Sequence, residues 1–337
     1  MRIQARFAVL FGLALLALAP VTSQADSFHV TNLVSNIEGM ALITDPLLKN
    51  PWGVSYGATG PFWVSNAGTS TATLYSGDVA GSDFTKVSLE VNVPGSPTGQ
   101  VNNNTTEFGG AIFIFAGQNG SISAWSPPGT QAEVKVRVDG ASYTGLAIGQ
   151  DSQGNNRLYA ANVRFGSIDV FDGNFERVFT PDLFTDPDLD ANFHPFNIQN
   201  LGGVLYVTYQ DQGNLDHGGV VNAFDTDGNL LGRVAGGDPL NAPWGLVIAP
   251  ADFGAFSGTL LVGNFGDGTI NAFDPTPGGA GFIDTLTDEN GDPIVLDDLW
   301  MLIVGNGTMA GDTNAVYFTA GINEEQDGLF GSIRLVK

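Results

Sequence analysis

The chain has 337 residues, with 35 acidic against 12 basic side chains, three His and no Cys, for a formal charge of -23. That balance opposes phosphate neutralisation and argues against a nucleic-acid partner, while the missing Cys excludes disulfides, thiolate metal sites and a catalytic thiol. Gly (46 residues) and Phe (23) are abundant and charged residues make up only 14%, the composition of an all-β chain with many tight turns.

Arg2 and Arg6 precede an apolar run from Phe7 to Ala19, and Ser23-Gln24-Ala25 supplies small residues for cleavage. The pattern predicts a signal peptide over residues 1–25; the run is too short to span a bilayer, which takes about 20 apolar residues. Residues 26–337 then form one domain with no membrane span. A Cys-free exported chain fits the periplasm or the medium of a bacterium better than a eukaryotic secretory route.

The next signal is repetition. A Gly-x-Ile/Val pattern ending in an aromatic residue occurs as Gly120-Ser-Ile-Ser-Ala-Trp125, Gly166-Ser-Ile-Asp-Val-Phe171, Gly219-Val-Val-Asn-Ala-Phe224 and Gly268-Thr-Ile-Asn-Ala-Phe273, with degenerate copies at Thr71–Tyr75 and Gly331–Val336. A second apolar run precedes most copies, as at Phe62–Asn66, Leu158–Asn162, Leu205–Tyr209 and Leu261–Asn264. A third column includes Asn50-Pro51-Trp52-Gly53, Ser96-Pro97-Thr98-Gly99, His194-Pro195-Phe196-Asn197 and Ala242-Pro243-Trp244-Gly245, with starts at 50, 96, 142, 194, 242 and 298. Two independent columns thus count six units of about fifty residues. Units of this length built from short β-runs are propeller blades. The spacing predicts a six-bladed β-propeller in which the third column forms the inner strands. Glycines there allow blades to converge on the axis, and Asp172-Gly173-Asn174 and Asp225–Asn229 make hairpin turns. The last unit ends after its third strand, so the spare run His29–Val34 is expected to complete blade six and close the ring.

The segments Asp45-Pro46 to Gly53, Gly263–Gly268 and Gly328–Ile333 resemble a family of exported bacterial six-bladed β-propeller proteins of largely uncharacterised function. More distantly the chain is similar to NHL-repeat and gluconolactonase-like propellers. That wider resemblance implies fold alone, because the class spans metal-dependent lactonases, quinone-dependent dehydrogenases and non-catalytic binders.

Propeller topology places the inner-strand starts and the ends of the second strands at one mouth of the channel. This brings Asn50, Asn66, Arg164, Gln210 and His217 to that mouth as candidate ligand-binding residues, beside His194 as a candidate general base. Asn162, Asn264 and Asp298 are candidate ligands for calcium or, with imidazole, zinc. In the lactonase-like class the resemblance implies a metal polarising a substrate carbonyl; the acidic ligand expected near the first inner strand has only Glu38 and Asp45 as candidates, neither in the repeat column. The same Asn residues serve equally well as strand caps, and Trp52, Phe196, Trp244 and Trp300 read as packing between blades, with a sugar platform as the alternative. The expected function is therefore a monomeric exported propeller that binds a small-molecule or cell-envelope ligand, a cation, or both at a polar mouth. The alternatives are a metal-dependent lactone or ester hydrolase and a quinone-dependent dehydrogenase.

Overall fold

A computed structural model describes residues 26–214, 218–279 and 281–336. The leader expected over residues 1–25 and the candidate His217 lie outside them. Six separate sheets ring a common axis. Five have four antiparallel strands, with inner strands Pro51–Ser55, Pro97–Asn102, Tyr143–Gln150, Phe193–Leu201 and Pro243–Ile248. The inner strand of the sixth is Leu299–Val304. The chain is thus a six-bladed β-propeller, as the two repeat columns predict, and helix among the described residues is confined to two short 3₁₀ turns. None of these is long and apolar enough to cross a membrane.

Ring closure also follows the sequence reading. Phe28–Ser35 pairs antiparallel with Leu329–Leu335 and supplies the strand that blade six lacks. A further short strand, Ile43–Thr44, adds in parallel outside it, so this sheet has five strands. Sealing first against last sequence removes two open sheet edges that would otherwise pair with other chains.

The blades meet through a repeated irregularity. Every inner strand slips register against its second strand near its start, for example between Pro51 and Val54, Pro97 and Gln100, and Pro243 and Gly245. Such a bulge twists the strand locally and lets its backbone press against the next blade. Gly53 shows why the column needs glycine: a methyl group there would stand 2.5 Å from the Thr98 carbonyl oxygen of blade two.

The free edge of each inner strand faces the axis, where its carbonyls are buried and require partners. Side chains of neighbouring blades provide them. Gln100 Nε2 donates to the carbonyls of Gly53 and Trp63, both at 2.7 Å. Thr98 Oγ1 donates to Tyr143 (2.8 Å), Asn197 Nδ2 to Trp244 (2.7 Å) and Thr319 Oγ1 to Trp52 (2.5 Å). Farther out, buried carboxylates brace the blades: Asp45 accepts from Tyr75 Oη (2.6 Å) and Lys86 Nζ (3.0 Å), and Asp169 from Tyr143 Oη (2.8 Å) and from Arg177. These pairs meet the rule that a buried charge survives only when matched and hydrogen-bonded.

Candidate functional site

The end of the channel where the inner strands begin is closed by aromatic rings. Trp52 of blade one and Trp300 of blade six stack with centroids 3.5 Å apart, and Trp244 of blade five meets Trp52 edge-on at 5.9 Å. Phe196 of blade four and Phe265 of blade five complete the layer against Trp300, at 5.8 and 4.3 Å. Blades one and five are not neighbours in the ring, so these rings reach across the axis. Trp244 Nε1 confirms the crossing by donating to the Thr144 carbonyl of blade three at 3.0 Å. The three indoles and Phe196 are buried, which makes them a packed plug. They pack between blades as expected, and in addition they seal the channel.

Asn50 clamps the plug. Its Oδ1 accepts from both Trp52 Nε1 and Trp300 Nε1 at 3.0 Å, while its Nδ2 donates to Glu325 Oε2 at 2.5 Å. The expected ligand-binding Asn50 is thus occupied in holding two indoles. The other candidates at this end are placed as follows. Asn66 donates to Thr71 and Thr73 within blade one, at 3.2 and 3.0 Å. Asn162 donates to Asp169 Oδ2 at 3.0 Å and Asn264 to the Pro239 carbonyl at 2.8 Å. All three are fully buried and turned into their blades, where they cap the turn between second and third strands. Gln210 is buried and pairs with His194 in the ladder of blade four. Asp45, braced by Tyr75 and Lys86, is a strut between strands.

His194 lies beside the hairpin that carries the exposed Arg164, with Nδ1 2.6 Å from the Val163 carbonyl. A carbonyl only accepts, so Nδ1 is the donor in this bond. Asp298 stands in an acidic corner, its Oδ2 accepting from the Glu325 amide at 3.2 Å. Burial, then the nearby charges of Asp297, Glu325 and Glu324, push its carboxyl up to about 6. The amides of Asn162 and Asn264 therefore serve the protein's own hydrogen bonds, and the Asp298 carboxyl belongs to the acidic corner. Among the described residues no group of three or more His, Asp or Glu side chains is placed to hold a metal ion, and we derive no metal-assisted step from this end.

A large cavity lies at the opposite end. It measures about 670 Å³ and is lined by all six inner strands near their ends, from Ser55 and Tyr56 in blade one to Met301–Val304 in blade six. Most of the wall is aliphatic, including Leu146, Ile148, Leu246 and Ile303. No Asp, Glu, His, Lys or Arg belongs to it, and none of the described residues expected at the mouth does. Tyr56 donates to the Val304 carbonyl at 2.5 Å, and burial pushes its phenol up to about 12. Three buried polar atoms in the wall, Ser55 Oγ, Gln100 Oε1 and Gln199 Oε1, have no partner. Sequence reasoning missed this cup because its residues read as ordinary strand ends. The available signal was Gln100 and Gln199, amides interrupting apolar inner strands.

No protein-family model matches the sequence. By fold the chain is similar to virginiamycin B lyase from Staphylococcus aureus, with TM-score 0.52 and 12% identity over 92% of this chain and all of the other. A propeller provisionally described as a gluconolactonase gives TM-score 0.52 at 12% identity, covering 92% of each chain. By sequence it is similar to two uncharacterised proteins of Acanthamoeba polyphaga mimivirus. R648 is 30% identical over 91% of this chain and 80% of its own length, and L690 is 30% identical over 91% and 86%. The chain therefore belongs to the same family as the mimivirus proteins R648 and L690.

Proposed function

We propose that this is a binding propeller which takes an uncharged, largely apolar small molecule in the cup at the end of its channel away from the aromatic plug. The observation that carries the reading is the chemistry of the cup wall: six strand ends converge on one concavity without a single carboxylate, imidazole, ammonium or guanidinium. Ligand sites are concave, mostly apolar and fitted with few polar groups, which describes this wall. Hydrolysis or oxidation needs a group that moves a proton near neutral pH. Tyr56 at about 12 cannot do so, and Ser55 has no base beside it. Each unpaired wall oxygen costs about 1–3 kcal/mol, so a ligand that reaches one after a small side-chain rotation gains a bond. In this reading the leader over residues 1–25 exports the chain, and the ligand is met outside the cytoplasm.

The test is titration with N-phenyl-1-naphthylamine, an uncharged apolar fluorophore. One equivalent should bind, and the cup-filling changes Leu201→Trp and Ile248→Trp should abolish binding while the near-ultraviolet circular dichroism stays native. Binding that survives both changes, or is lost instead in His194→Ala at the other end, would overturn the reading. Elemental mass spectrometry of gently purified protein is the companion measurement. One equivalent of calcium or zinc that disappears with Asp298→Ala would return the site to the plugged end and reopen the hydrolase alternative.

A further inference from the structure

The cup has a polar extension. A groove of about 520 Å³ shares Asn102, Ile148 and Asn200 with it and runs outward between the strand ends of blades two, three and four. Its remaining wall comprises Asn104, Thr105, Gly149, Gln150, Asn156, Gly203 and Thr226. The cup is chiefly aliphatic, whereas the groove is chiefly amide and hydroxyl, and it too carries no charged side chain. Some of these groups are spent on the protein: Asn200 Nδ2 donates to the Ile148 carbonyl at 2.9 Å, and Gln150 Nε2 to Asn156 Oδ1 at 3.1 Å. The Asn104 amide and the Thr226 hydroxyl are not spent, nor are Asn102 Oδ1, Gln150 Oε1 and Asn156 Nδ2. These have no hydrogen-bond partner among the described residues. The groove thus offers a mixed set of neutral donors and acceptors on both its walls.

Resting on the cup as the binding site, we propose that the ligand is an amphipathic glycoside, its apolar aglycone in the cup and its neutral sugar in the groove. A charged headgroup would find no countercharge in either wall, and an anion would also be opposed by the chain's charge of -23. A purely apolar ligand would leave the groove amides facing no polar partner while displacing their water. A sugar satisfies both conditions, because each hydroxyl donates and accepts and the ring carries no charge. The two cavities meet at Asn102 and Asn200, which places the glycosidic junction between them.

The experiment compares n-octyl β-D-glucopyranoside, below its micellar concentration, with 1-octanol and with glucose, by calorimetry on the mature chain. The glycoside should bind about tenfold or more tighter than octanol, the gain expected from one or two net hydrogen bonds. The combined change Asn104→Ala, Gln150→Ala and Thr226→Val should erase that ratio. Two of the three side chains are exposed, so the fold should survive, and circular dichroism checks it. A glycoside that binds no tighter than octanol refutes the sugar assignment while cup-dependent binding of the naphthylamine probe leaves the binding propeller standing. If neither octyl ligand nor probe depends on Leu201 and Ile248, both proposals fail together.

Discussion

Asn50→Ala should be costly for a single change at a polar side chain of the plugged end, and the structure gives the amount. One carbonyl oxygen serves two buried indoles, so its removal strands Trp52 Nε1 and Trp300 Nε1 in a layer of aromatic rings. Each stranded buried donor costs about 1–3 kcal/mol. Asn50 also holds φ at 42°, a region that Asn tolerates and Ala does not, worth about 1 kcal/mol more. Because both indoles relax together, the sum is about 3–5 kcal/mol. Urea unfolding followed by Trp fluorescence measures it, and near-ultraviolet circular dichroism reports the Trp52–Trp300 stack. Two companions separate the terms. Asn50→Gly removes the acceptor but suits the backbone, and should lose about 1 kcal/mol less than Ala. Asn50→Asp keeps acceptor oxygens yet sets a carboxylate against Glu325, so its penalty should grow from pH 4 to pH 8. A loss below about 1 kcal/mol for Asn50→Ala would refute the clamp, and equal losses for Ala and Gly would refute the backbone contribution.

Asp298→Asn should stabilise the protein at pH 8 and leave it unchanged at pH 4. The folded state holds the Asp298 proton up to about 6 against an ordinary 3.8, so its favourable contribution is complete at low pH and lost as pH rises through 6. The carboxyl is only half-buried, and screening reduces the gain to about 1 kcal/mol; a stability difference between variant and parent that is flat with pH would contradict this. Arg177→Ala leaves Asp169 buried beside Tyr143 without its cation, and chemical denaturation should register a loss of about 2–3 kcal/mol, less than for a fully buried pair because Arg177 is half-exposed. Gly53→Ala should destabilise by about 2–4 kcal/mol, since its methyl group meets a backbone carbonyl of the next blade, which cannot swing aside. An unchanged melting temperature would mean that the blades are free to separate there.

The architecture was legible because it repeats. Gly-x-Ile runs and Pro-Trp-Gly runs recur independently, and blade six lacks a fourth strand in sequence, so the partner of Leu329–Leu335 could be found at Phe28–Ser35 by elimination. The candidate site was legible only as far as the face. Register does put Asn66 opposite Pro51 and Asn264 opposite Pro243 at one end of the channel. What sequence period does not give is the direction of an amide at the end of a strand, and these amides turn inward to close their own hairpins. Nor does it show that Trp52, Phe196, Trp244 and Trp300, each an ordinary inner-strand residue, meet across the axis. That contact depends on channel radius, set by how closely the glycine column lets the blades approach.

The plug and the cup are consequences of the same inner strands. Each strand begins at the aromatic layer and ends at the cup, so filling one end of the axis with indoles leaves the other as a concavity with a floor. A floor matters to binding, because it excludes water from one side of a ligand and lets apolar burial count at about 25 cal/mol per Å². It also separates the cup from the carboxylates of Asp297, Asp298, Glu324 and Glu325 at the plugged end, keeping that wall free of a strong local field. An open channel would join the two ends and expose an apolar ligand to acidic residues and to water from both sides. The Asn50 clamp is therefore tied to binding as well as to stability: loosening the plug in Asn50→Gly should weaken the naphthylamine probe although the substitution touches no residue of the cup. Equal probe affinity in a variant whose Trp52–Trp300 stack is demonstrably lost would show that the cup needs no floor, and would leave the plug a device of folding alone.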